Sequence, residues 1–431
     1  MHKGSSSTEH IAIIGAGPIG LCAAHYLRAA GARVTVIDRT TVGGGAARGN
    51  GGLIATTTAT PLPAPGVVSD ALRHLFSPTS AFFVRPAALA GAAPFLVRVA
   101  LHSSARRFRQ TLACLDLLSK DTGYLWQQLT DAGIGTSLSD AGQLRCFDSE
   151  PSAVADHAAY SELARRGLGE PPGDVVGAAE LRGAEPGIGR AVVAGYTVPG
   201  ERFANPSEFV DEMHESLAER GVEFIENTEI SDLGEHPDHS WVKLDNGRLA
   251  VDQVLIAAGA RSGSLAARFG VRLGIRPGKG YSFSVPVAEL PKRVLYFNDA
   301  HCAAIPLAGK ARIAGTMEFD GTFDRLNQAR VDALRTVAAR HLDGADWTRM
   351  TDVWVGPRPM TVDGAPAIGA LSARGRVSIA TGHNMIGFAL APATGSLVAD
   401  LMTGRASRRT AELEAFSPHR FRLRPRRRRA A

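Results

Sequence analysis

Gly15, Gly17 and Gly20 follow the apolar run of residues 10–14 at G-x-G-x-x-G spacing, and a second apolar run, residues 33–37, ends on Asp38. Strand, glycine turn, helix and second strand in that order outline a dinucleotide site. Gly15 permits the tight turn, Gly17 lets a pyrophosphate approach the backbone, and Gly20 brings the following helix close to the sheet. With Ala16, Pro18 and Ile19 between them, they present free N–H groups and a positive dipole end to phosphate. Asp38 is spaced to accept hydrogen bonds from a ribose hydroxyl. The motif alone does not distinguish FAD from NAD.

These residues need a body to position them. A chain of 431 residues implies two or three domains with ample core. Residues 87–101 are the most apolar stretch, but Pro94 and Arg98 interrupt them and they are too short to span a membrane. Residues 1–9 are polar and are expected to be flexible; no secretory signal is read there. Cys22, Cys114, Cys146 and Cys302 are scattered, which argues against a disulfide framework and fits a cytoplasmic setting. Histidine spacing suggests no metal site. The net charge of +6 is concentrated at one end. Residues 405–431 hold ten Arg and two Glu, a balance of +8, so the remainder carries −2. That end reads as a solvated tail, with peripheral contact to anionic lipid as the sharper alternative; the body has no basic stripe for nucleic acid.

The pattern along the chain predicts helix over much of residues 69–132, broken at Pro78, Pro86 and Pro94, with an apolar stripe from Phe108 to Leu125. Residues 152–180 are polar and weakly patterned. A helix is predicted from Asn205-Pro206-Ser207 to about Arg220, a hairpin at Asn246-Gly247, and a buried strand over 251–258. Strands alternate over 281–319, a helix follows over 324–342, and a strand over 377–381 precedes a helix ending near Gly404. Nucleotide-domain strands therefore recur early, in the middle and late. This layout favours a flavoprotein over a simple NAD enzyme.

Four segments together resemble the D-amino acid oxidase superfamily of FAD enzymes, nearest its D-amino acid dehydrogenase branch. They are the fingerprint with Asp38; Arg48-Gly49-Asn50-Gly51-Gly52-Leu53-Ile54; Lys279-Gly280-Tyr281-Ser282; and Gly356-Pro357-Arg358-Pro359-Met360-Thr361-x-Asp363-Gly364 followed by Gly382-His383-Asn384-Met385-Ile386-Gly387-Phe388. Asp38 stands where many members carry Glu, and Arg48-Gly49-Asn50 departs from the dehydrogenases' Ser-Phe-Ala-Asn. The resemblance implies an α/β fold: a discontinuous Rossmann-like FAD-binding domain plus a mixed α+β substrate domain. The expected FAD-binding segments are 10–68, 200–275 and 350–405. The substrate domain is expected over 69–199, with a helical insertion, and 276–349. Residues 406–431 form the Arg-rich tail.

On the same resemblance, FAD contacts fall on Gly15 to Gly20, Asp38, Arg39, Arg48, Asn50, Gly51, Gly52, Leu53, Ile230, Ala257, Gly259, and residues 382–388. Arg358 is the expected carboxylate anchor, because a guanidinium matches a carboxylate bidentately. Tyr281 is expected to offer its hydroxyl to the same carboxylate. His383 is grouped with them at the flavin, without a role as base. The implied activity is oxidative deamination of a D-amino acid, or of a cyclic or N-substituted relative, through an imine to a 2-oxo acid, with electrons passed to a quinone-like acceptor. A glycine- or sarcosine-type oxidase using O₂ is the alternative, followed by an NAD-dependent Rossmann dehydrogenase or a non-catalytic flavin-binding protein.

Overall fold

A computed structural model describes residues 8–55, 61–64, 77, 80–167 and 169–421, with backbone only at 407 and 408. Most of residues 1–9, Pro78, and the Arg-rich run after 421 lie outside the described residues.

The first apolar run forms the strand His10–Ile14 at the centre of a six-stranded sheet. It pairs in parallel with Arg33–Ile37 on one side and Gln253–Ile256 on the other. Glu223–Ile225 extends one flank; Val377–Thr381 and the antiparallel Ala367–Ala370 extend the other. The order reverses beside the first strand, the switch point at which open α/β sheets bind ligands. The helix Pro18–Ala29 starts there, with Pro18 in its first turn. It packs against Ala391–Met402 so closely that a Cβ on Gly395 would meet Cys22 backbone at 2.6 Å. The predicted hairpin is present, with Ser240–Leu244 paired to Gly247–Val251.

A nine-stranded sheet forms the second layer. Its central run is Thr351–Met360, Arg276–Val285, Lys310–Phe319, Cys302–Leu307 and Val294–Phe297, each hydrogen-bonded to the next. Gln143–Phe147 and Ala194–Val198 continue it. Its core holds Tyr281, Phe283, Ile313 and Leu334, separate from the nucleotide-side core of Ile11, Leu21, Leu255 and Leu397.

Four expectations are corrected. Thr351–Met360 pairs with Arg276–Val285, so the nucleotide-binding segment begins after 360, not at 350. Pro94 lies inside the helix Leu89–His102 and does not break it. It forfeits one backbone bond, and the helix still buries Phe95 and Val99 against Phe319 and Met360. Residues 152–180 contain most of the helix Glu150–Arg165, whose start was legible: Ser149 caps Ser152 N–H at 3.3 Å, and Pro151 sits in the first turn. Finally, residues 406–421 are not a solvated tail. Phe416 is fully buried, and Arg420 makes a bidentate ion pair with Asp363 at 2.8 and 3.3 Å.

The helices Ala105–Ser119 and Thr122–Asp131 lie within the segment where a helical insertion is expected. Leu115, Leu118, Trp126 and Leu129 pack into the nucleotide-side core, so the insertion buttresses that domain from outside its own sheet.

Candidate active site

A cleft of about 860 Å³ runs between the two sheets, from the glycine turn to Arg358. Gly15 adopts φ +114°, and a Cβ there would overlap the Ala257 carbonyl; L side chains rarely take that backbone. Asp38 Oδ2 accepts from Ala16 N–H at 2.8 Å, and Oδ1 accepts from Thr40 N–H at 2.8 Å. The acid thus fixes the turn while its side chain faces the cleft. Open space at Gly17, a helix N-terminus and an acid at the end of the second strand fit a dinucleotide in shape and chemistry.

Of the residues nominated for the cofactor, Gly15, Gly17, Pro18, Ile19, Asp38, Arg39 and Asn50 line the cleft. Ile230, Ala257, Gly259, His383, Asn384, Met385, Gly387 and Phe388 line it too. Ala16, Gly20, Gly51, Gly52, Leu53, Gly382 and Ile386 do not; they shape the backbone or face elsewhere. Arg48 is turned away: its guanidinium pairs with Asp211 at 2.7 Å and donates to Val42 O at 3.2 Å. Its carbonyl, by contrast, faces the second sheet and accepts from Arg312 at 3.2 Å. Ser282 Oγ donates to Gly49 O at 2.6 Å, and together these bonds lash the loop over residues 48–54 to the sheet.

Sequence reasoning overlooked the strap over the cleft. Gly321, Phe323 and Asp324 line its rim, where Asp324 pairs with Arg39 at 3.0 Å and with Arg261 at 3.6 Å. The strap is anchored from beneath by Lys279, whose fully buried ammonium donates to Asp320 Oδ2 at 2.7 Å and Arg325 O at 2.7 Å and lies 3.2 Å from Glu318. No motif announces a strap; only the sheet pairing brings Lys279 beneath it.

Arg358 lines the far end of the cleft. Its Nη1 donates to Thr316 O at 2.7 Å. Burial pulls its pKa down to about 10, so the guanidinium stays charged at neutral pH. Among the described residues no carboxylate lies within ion-pair reach of it. A desolvated cation without a counter-ion is costly unless a ligand supplies one.

Tyr281 does not join Arg358. It is buried beneath the strand, and its hydroxyl donates to Glu318 Oε2; burial and that carboxylate push its ionisation up. A second tyrosine, Tyr296, lies within the electrostatic reach of Arg358 although it is not among the cleft-lining residues. It pairs across from Ala303, packs against the cluster that holds Phe203 and Ile305, and carries the Arg145 guanidinium over its ring at 5.1 Å. Burial raises its pKa, against the pull of Arg145 and Arg358, so it stands as a neutral phenol within the field of the Arg358 charge. His383 is buried with its pKa lowered to about 3 by desolvation, and it shares a hydrogen bond of 3.0 Å with Thr394 Oγ1. It is therefore neutral and held in place. Asn384 fastens the strip over 382–388, accepting from Thr361 N–H and donating to Gly364 O and Gly382 O, each at 2.9 Å.

The profile of the DAO family, described as FAD dependent oxidoreductase, matches residues 10–401. A D-amino acid dehydrogenase of Rhizorhabdus wittichii is 30% identical over 411 residues, covering 92% of this chain and 96% of the relative. D-amino acid dehydrogenase 2 of Mesorhizobium japonicum is 31% identical over 409 residues, with the same coverage. Among solved structures, glycine oxidase from Geobacillus kaustophilus superposes with TM-score 0.71 at 24% identity, covering 92% of this chain and 96% of that one. L-proline dehydrogenase from P. horikoshii gives 0.69 at 19%, covering 97% and 98%. Those two likenesses concern the fold.

Proposed function

Since the chain belongs to the DAO family of FAD-dependent oxidoreductases, we propose that it oxidises the Cα–N bond of a D-amino acid, or of a cyclic or N-substituted relative, and delivers the electrons to a quinone-like acceptor. The observation that carries this reading is Arg358: a charged guanidinium in the cleft, anchored to Thr316 O and lacking a carboxylate partner among the described residues. The names of the curated relatives, at 30% and 31% identity over nearly the whole chain, support a D-amino acid as the donor.

Gly15, Gly17 and Asp38, with the strip of His383, Asn384, Met385 and Gly387, are the residues to hold FAD. When bound, FAD supplies the acceptor for the hydride leaving substrate Cα. Arg358 pairs with the α-carboxylate and fixes its orientation, and the Tyr296 phenol offers a second donor. His383, neutral and buried, shapes the strip without exchanging protons at physiological pH. The amine must therefore arrive unprotonated, and positioning supplies much of the rate. The imine product takes up water in solution to give a 2-oxo acid and ammonia. Anaerobic mixing of the holoprotein with D-, L- and N-methyl amino acids, read by loss of flavin absorbance, tests the reading. Bleaching by D-amino acids supports it; bleaching by L-amino acids alone overturns it. Stoichiometric H₂O₂ in air, with no reduction of quinone, would replace the dehydrogenase by an oxidase.

A further inference from the structure

Arg358 is held by a backbone carbonyl, and the residue that supplies it has an unusual conformation. Arg276–Val285 pairs with Lys310–Phe319 at Lys279 with Glu318 and again at Tyr281 with Gly315. Between those pairs Gly280 alone faces both Thr316 and Met317, so the second strand carries one extra residue, a β-bulge. Thr316 takes φ +59° there. A β-branched residue seldom enters that left-handed region and is strained in it. Its side chain does nothing to offset the strain: the hydroxyl is buried with no hydrogen-bond partner among the described residues. The bulged backbone has one evident use. Carbonyls of a regular ladder lie along the sheet, aimed at the next strand. The Arg358 guanidinium lies over the face of the sheet, where a Cβ on Gly280 would come within 2.3 Å of it. Thr316 O nevertheless accepts from Arg358 Nη1 at 2.7 Å, and the Met317 sulfur lies 3.8 Å from the same nitrogen. A carbonyl fixes the cation without neutralising it, as a carboxylate would.

We propose that Thr316 is a positioning residue for the substrate carboxylate. Its left-handed backbone turns one carbonyl toward Arg358 Nη1 and leaves the rest of the guanidinium to pair with the ligand. The inference rests on the reading of Arg358 given above. The bulge also lies where Lys310–Phe319 exchanges one neighbour, Cys302–Leu307, for another, Phe82–Val84. That exchange does not require the extra residue. Without Thr316, Met317 would stand opposite Gly280, and Lys279 with Glu318 and Tyr281 with Gly315 would form one regular ladder. Gly315 and Glu318 would then be two positions apart and would still share a face, so the contacts of Glu318 with Lys279 and Tyr281 would survive. The sheet thus keeps a strained residue that its own pairing can dispense with, at the point where it meets Arg358.

The experiment titrates the oxidised, FAD-loaded protein with benzoate, read by the flavin spectrum, and follows its thermal melting. The proteins are the native chain, a deletion of Thr316, Thr316→Gly and Arg358→Lys. The deletion should weaken benzoate binding by about thirtyfold, the loss of one hydrogen bond to a charged group. It should still melt within about 3 °C of the native protein. Thr316→Gly keeps the left-handed backbone and sheds the strain. It should bind benzoate within about twofold of native and melt no lower, whereas glycine at an ordinary strand position lowers stability. Unchanged benzoate affinity in the deletion would overturn the proposal. So would a deletion that no longer folds, because the sheet would then require the bulge. An equal loss in Thr316→Gly would overturn it as well, since the side chain and not the backbone would be at work. Arg358→Lys keeps the underlying reading separately readable. Native affinity in that variant, or no benzoate binding by the native protein, would strike the Arg358 reading itself and the proposal with it.

Discussion

The Arg358 guanidinium occupies the space that a side chain on Gly280 would fill. The two lie on paired strands, and a Cβ built on Gly280 would overlap the guanidinium group. Gly280 has no unusual φ, so alanine fits its backbone and the whole cost falls on its neighbour. Gly280→Ala is therefore expected to push Arg358 off Thr316 O while leaving FAD bound. Displacing a charge-assisted contact should cost about 2 kcal/mol, or roughly thirtyfold in kcat/KM. Benzoate titration, read by the flavin spectrum, should weaken in parallel. Unchanged benzoate affinity would show that Arg358 does not hold the carboxylate.

Tyr281 and Tyr296 make a paired test. The Tyr281 hydroxyl is bound to buried Glu318, so Tyr281→Phe should lose about 1–2 kcal/mol of stability with KM nearly unchanged. Tyr296→Phe should raise KM for the amino acid by about tenfold, with little change in the melting transition. Urea denaturation and steady-state kinetics on both variants distinguish the roles. The reverse assignment of effects would return Tyr281 to the substrate site.

Lys279 is completely buried between Glu318 and Asp320 and tethers the strap through Arg325 O. Lys279→Met leaves two carboxylates without their cation, a change that costs about 3–5 kcal/mol in buried pairs. It should also release residues 320–325 from the rim of the cleft and raise the FAD dissociation constant. Adding Asp320→Asn should recover part of the stability, because one stranded charge is then gone. Chemical denaturation of the single and double variants, with FAD retention on a desalting column, reads both effects.

Much of the cleft was legible in local chemistry. Residues 10–38 fold as their spacing dictates, and the Gly356–Gly364 motif delivers Arg358 to the cleft because its residues build one strand and the turn after it. The place of Tyr281 was not legible, because it depends on which strands pair. Gly280 faces Arg358, while its neighbours Lys279 and Tyr281 turn to Glu318 on the opposite face of the strand. Arg48 was misplaced for a related reason: its backbone belongs to the motif over residues 48–54, while its side chain answers to Asp211 on a distant helix. The docking of residues 406–421 hinges on Arg420 meeting Asp363, a pairing 57 residues apart that composition cannot reveal.

Buried neutral histidines give the fold an acid limit. His383 is lowered to about 3 by burial; His25 is lowered to about 4 by burial and by Arg220, which donates to its Nδ1 at 3.1 Å. The unfolded chain binds these protons near pH 6.5 and the folded chain resists them, so stability is full above that pH and falls as acid is added. Each histidine contributes about 1.4 kcal/mol per pH unit within its window. Asp320 acts lower. Burial pushes its pKa up, but bonds from Lys279 and Thr322 outweigh that and leave it depressed, so its contribution is lost only below the ordinary carboxylate range. Urea unfolding of the FAD-saturated protein at pH values from about 7 to 5 should show a steep decline. His25→Gln and His383→Gln should each flatten it by about 1.4 kcal/mol per pH unit. Parallel curves for the native protein and both variants would mean that the histidines are protonated in the folded state, and a charged His383 lining the cleft would then have to be reconsidered as a proton donor.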